Sequence, residues 1–106
     1  MTDIQILAAT EQDYPFGTLF DDQSQAYRRL FAMGWTRLQI QSAIVKELHK
    51  QDGQAWAEFQ SLIESNAPHQ DCVYAQDKTY RIRARLNACS NELNRRMRRP
   101  RTQIAA

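Results

Sequence analysis

The chain has 106 residues, of which 42% are apolar and 25% charged, with only 3 glycines and 3 prolines. That composition describes one small folded domain and excludes a disordered or collagen-like chain. No apolar run approaches the roughly 18 residues of a membrane-spanning helix, and no basic segment precedes a greasy stretch at the start, so the expected compartment is the cytoplasm. A domain of this size buries somewhat more than about 60% of its unfolded surface, enough for one core but not for a deep cleft, so binding is expected rather than catalysis.

The net charge of +2 conceals a strong sorting of charge along the chain. Residues 1–77 hold 5 basic and 11 acidic side chains, whereas from Lys78 onward there are 9 basic residues and one acid, Glu92. Such polarity suits a polyanionic partner, an acidic protein surface or self-association of the two unlike parts.

Residues 1–20 show no sustained period and read as an extended arm with a turn at Tyr14-Pro15-Phe16-Gly17. Its Tyr14, Phe16, Leu19 and Phe20 need cover, either on the chain's own core or on a partner, and they are the candidate partner-binding anchors. A helical domain is expected over residues 21–99. Its first helix runs from Asp22 to Met33, with Asp21 or Asp22 as N-cap, Tyr27, Leu30 and Phe31 inward, and Gly34 as the stop. Thr36 opens a second helix, Gln39 completing a capping box, and Ile40, Ile44, Val45 and Leu48 face inward until Gln51-Asp52-Gly53 ends it. A third helix from Gln54 to Ser65 carries a stripe of Trp56, Phe59 and Ile63 with Leu62 alongside, stopped by Asn66-Ala67-Pro68.

The last segment is the longest. Its small or apolar residues, Cys72, Ala75, Thr79, Ile82, Leu86, Cys89, Leu93 and Met97, alternate in steps of 3 and 4, the seam of a long helix packed on another. Residues 80–86 also alternate with period two, but Arg, Ala and Leu favour helix and no glycine supplies a hairpin turn. The expected fold is therefore all-α, a small bundle of three short helices plus a long C-terminal helix, with residues 100–106 a flexible tail. Within the seam Ile82, Leu86, Cys89 and Leu93 are candidates for self-association, and Arg81, Arg85, Arg95, Arg96 and Arg99 form a candidate basic face beside it.

No catalytic motif, phosphate loop or metal-ligand spacing stands out, and His69 with Cys72 makes a lone pair without further ligands. Neither an enzyme nor a cofactor is expected. Cys72 and Cys89 are too far apart on one helix to bridge, about 25 Å at ~1.5 Å per residue. Tyr27 to Ile44 also admits a helix-turn-helix reading, in which Arg37, Gln39, Gln41 and Ser42 would read bases and the C-terminal arginines would hold phosphates. Against it stand bulky Leu30 at the helix crossing and the acidity of residues 1–77. A membrane surface is the weakest partner, since the seam lacks Trp and Phe.

With the helical layout, the Arg-flanked last helix and the segment YRRLFAMGWTRLQIQSAIVKEL, the chain resembles the QslA-type quorum-sensing anti-activators, small bacterial proteins that bind LuxR-type transcription factors such as LasR. The resemblance spans most of the chain. It implies a helical, dimeric protein without catalytic residues or cofactor, which binds the ligand-binding domain of a LuxR-type activator, disrupts its dimerisation and so prevents promoter binding.

Overall fold

The computed structural model describes residues 2–9, 19–20 and 22–105, with side chains up to residue 97. Among the described residues four helices follow in order: α1 (Asp3–Leu7), α2 (Gln25–Ala32), α3 (Arg37–Glu64) and α4 (His69–Ala105). The described residues contain no strand, so the period-two pattern at 80–86 lies on a helix, and the all-α expectation holds. Pairing of α3 with α4 dominates the architecture; α1 and α2 pack as a short second layer at one end of that hairpin.

Local chemistry sets most boundaries. Ser24, rather than Asp21 or Asp22, caps α2 by accepting from the Tyr27 amide at 3.2 Å, while Asp22 pairs with Arg37 at 3.2 Å. Gly34 ends α2 with a φ of 95°, which lets the Gly34 and Trp35 amides donate to the carbonyls of Phe31 and Leu30, both at 3.0 Å. The expected capping box then opens α3: the Gln39 amide donates to Thr36 Oγ1 at 3.1 Å, and the Thr36 amide to Gln39 Oε1 at 2.9 Å. Asn66, with a φ of 55°, closes α3 by the same device as Gly34, and Pro68 leads into α4.

Further expectations are corrected: Phe31, expected to face inward with Tyr27 and Leu30, is 39% exposed. The arm contains a helix of its own, α1, closed by a Thr2–Gln5 capping box and tied to α2 by Arg29, whose Nη2 lies 2.7 Å from Asp3 and holds that carboxyl below its ordinary range. Helices two and three are a single helix, because Gly53 does not adopt the positive φ that a stop requires and Ala55 beyond it packs into the seam. The Trp56 and Ile63 stripe faces outward: Trp56 is 43% and Ile63 52% exposed, while neighbouring Ala55 is buried. The backbone of residues 100–105, expected to fray, continues α4.

The core lies at the end where all four helices meet. Leu7, Phe20, Tyr27 and Leu30 pack there against Ile40, Ile44 and Leu48 of α3 and Leu86, Cys89 and Leu93 of α4. Beyond it the hairpin continues as two helices, joined along Ala55, Ala75 and Thr79; the buried Thr79 hydroxyl is satisfied by the Ala75 carbonyl at 2.9 Å. Small residues allow the helices to approach closely there, and they leave the larger side chains of this half outside.

Candidate protein-interaction surface

Of the arm side chains singled out, Leu19 and Phe20 belong to the fold's own packing. Arg85 Nη2 donates to the Leu7 carbonyl at 3.2 Å and to the Leu19 carbonyl at 3.3 Å, while the Cys89 thiol points at the Leu19 carbonyl at 3.6 Å. Leu19 is half-buried and Phe20 is buried in the core with the Arg96 guanidinium 5.7 Å from its ring centroid, so Phe20 is a core residue and no exposed anchor. Tyr14 and Phe16 lie outside the described residues.

The self-association candidates are also internal. Ile82, Leu86, Cys89 and Leu93 are all buried within a single chain, so the seam closes against α3 and the N-terminal layer rather than against a second copy. Burial pushes the Cys89 thiol up in pKa, which the nearby Arg85 opposes, and this protonated thiol is a packing group.

The expected basic face is divided among ion pairs. Arg81 pairs with Asp77, Lys78 with Glu58 at 3.8 Å, and Arg95 and Arg96 share Glu92. Hydrogen bonding from Arg96 is the largest influence holding the Glu92 carboxyl below its usual range. Arg85 is committed to the two carbonyls, and the Arg99 side chain lies outside the described set. The base-reading set fares similarly. Gln41 is 2% exposed beside Tyr27, Gln39 belongs to the α3 cap, Arg37 is paired with Asp22, and Ser42 is half-buried. A base edge needs free donors and acceptors, and this constellation does not present them.

What the surface does present is apolar. At the α2–α3 corner, Met33, Gly34, Trp35, Leu38, Gln39, Ser42, Ala43 and Lys46 line an open groove of about 650 Å³. Met33 is 71% and Leu38 48% exposed, and a Cβ built on Gly34 meets nothing within 4 Å, so the groove mouth is open. Its lining contains one cation, Lys46, and no carboxylate. The groove was legible in principle: Met33, Trp35 and Leu38 crowd a glycine stop where two helix ends cannot bury all three. A second set, Trp56, Ile63, Val73, Tyr74 and Tyr80, lies on the outer hairpin. Among the described residues no three His, Cys, Asp or Glu side chains gather to hold a metal, and no helix is long and apolar enough to cross a membrane.

Comparison with protein-family models, with curated proteins and with solved structures finds no match for this chain.

Proposed function

We propose that this protein is a non-enzymatic, cytoplasmic inhibitor that binds the ligand-binding domain of a LuxR-type transcription factor, blocks that factor's dimerisation and keeps it from its promoter, acting as a homodimer. The observation carrying the binding role is the open corner groove, with Met33, Trp35 and Leu38 beside Lys46, which has no carboxylate beside it in the groove lining. Flexible methionine and rigid tryptophan suit a surface that must accept another protein's apolar side chains, and the lysine adds a point of attraction for a carboxylate. The choice of a LuxR-type partner rests on the sequence resemblance. Inhibition then needs only mass action, since an occupied receptor monomer is withdrawn from the dimerisation equilibrium.

The test is size-exclusion chromatography with light scattering of the full chain mixed with a LuxR-type ligand-binding domain, alongside a DNA-shift control at about 150 mM salt. A protein complex without a DNA shift is expected, and Met33→Asp with Lys46→Glu should weaken it by about tenfold or more at unchanged helicity. Absence of a complex overturns the reading, and so does a DNA shift that weakens steeply with salt.

A further inference from the structure

The corner groove runs along the first turns of α3, from an apolar end to a cationic one. Met33 and Leu38 stand exposed at the first end beside half-buried Trp35, and Lys46 stands at the other. Between them Ser42 and Ala43 are small and half-buried. A second helix can approach α3 closely over such residues, which suits a helix laid in the groove better than an extended strand, since the groove offers no sheet edge to pair with.

Charge indicates the kind of helix. Lys50 follows Lys46 by one turn on the same face, the two being about 12 and 18 Å along α3 from Leu38 at 1.5 Å per residue. Both lysines are exposed. Among the described residues neither forms an ion pair, whereas Arg29, Arg37, Lys78, Arg81 and Arg83 each hold a carboxylate. The one acid of residues 37–50, Glu47, is half-buried and accepts from Gln51 Nε2 at 3.4 Å. Two ammonium groups without acid partners, next to an apolar corner, complement a segment with apolar side chains at one end and carboxylates at the other, and oppose a basic one. The exposed residues of the outer hairpin lack this selectivity, because the Arg83 that overlies Trp56 is already bound to Asp52.

We infer that the groove and the two lysines together take an acidic amphipathic helix of the partner, its apolar side chains seated at Met33, Trp35 and Leu38 and its carboxylates on Lys46 and Lys50. The inference rests on the binding role given above to the groove and not on the choice of receptor, so its test uses no receptor. The probe is a blocked, alanine-rich peptide of about 20 residues with two leucines one turn apart and two glutamates two and three turns beyond the first leucine; its counterpart has lysine in place of both glutamates. Each is titrated into the isotope-labelled full chain and followed by nuclear magnetic resonance. The acidic peptide should shift the Trp35 indole and Gly34 amide signals while leaving Trp56 unmoved, and the basic peptide should bind about tenfold or more weakly. Lys46→Glu with Lys50→Glu, both on exposed positions, should reverse that preference, and the dispersion of the variant's own spectrum shows that it is folded.

Equal binding of the two peptides, or a preference that survives the double charge reversal, overturns the assignment to Lys46 and Lys50. Shifts confined to Trp56 or to residues beyond 94 overturn the site, and no shift with either peptide at about 1 mM overturns the inference as a whole. A receptor complex that forms although neither peptide enters the groove overturns this inference and leaves the receptor reading standing. Peptide binding as expected without any receptor complex supports the inference and overturns the receptor reading alone.

Discussion

Arg85 concentrates several functions of the fold in one side chain. Its guanidinium joins α4 to carbonyls 78 and 66 residues away in sequence, at the end of α1 and at Leu19, and so fastens both ends of the N-terminal segment. A planar fork with several donors can serve two acceptors at once, which a lysine ammonium on a thinner stem does less well. Arg85→Met keeps the apolar stem and leaves those carbonyls without their donor, so a cost of about 1–3 kcal/mol is expected, with Arg85→Lys in between. A thermal melt should fall by about 4–8 °C per kcal/mol, and limited proteolysis read by mass spectrometry should show earlier cutting before residue 20. Unchanged melting and cutting would show that the N-terminal segment is held by its apolar contacts alone. The sequence placed Arg85 on a solvated basic face because charge is normally wet, and nothing in the pattern of residues marks a backbone carbonyl as its partner.

At the level of the helices, the local signals of the α2–α3 junction were read correctly, whereas two others, the Ser24 cap of α2 and the Thr2–Gln5 box of α1, were passed over. Gly34 and the Thr36–Gln39 box act through neighbours within six residues, so their spacing carries the whole signal. Gly53 and the Trp56 stripe depend instead on α4. A helical period identifies a stripe but does not say whether Ala55 or Trp56 turns inward, and close approach to Ala75 and Thr79 decides for the smaller residue. The same contact carries α3 past Gly53, where glycine costs roughly 1 kcal/mol relative to alanine. Because a Cβ at Gly53 meets nothing within 4 Å, Gly53→Ala should stabilise the protein by about 0.5–1 kcal/mol, measured by urea unfolding. A destabilised Gly53→Ala protein would mean that the helix needs a glycine-dependent bend at that point. The apolar corner groove was overlooked for a related reason: its residues belong to two helix ends and a turn, and no single period gathers them.

Across the whole molecule, the radius of gyration is 16.4 Å, against about 13 Å for a compact chain of this length. Among the described residues the outer half of the hairpin has no third layer, while the large buried side chains sit together at the other end. Global stability is therefore concentrated where α1, α2, the first half of α3 and the second half of α4 meet. Leu86 belongs to that cluster and is 5% exposed, so Leu86→Glu places a carboxylate among Leu, Ile and Cys side chains with no designed partner. An uncompensated buried charge costs about 3–5 kcal/mol, against a total of about 5–15 kcal/mol for a domain of this size. The melting temperature should drop by about 15 °C or more, with loss of helical circular dichroism at modest urea. Ile63→Lys, by contrast, changes a half-exposed side chain outside the cluster and should leave the melt nearly unaltered. A fully folded Leu86→Glu monomer would reverse the assignment and return the α4 seam to a role between copies, because a group on which the fold depends cannot be charged without the fold responding.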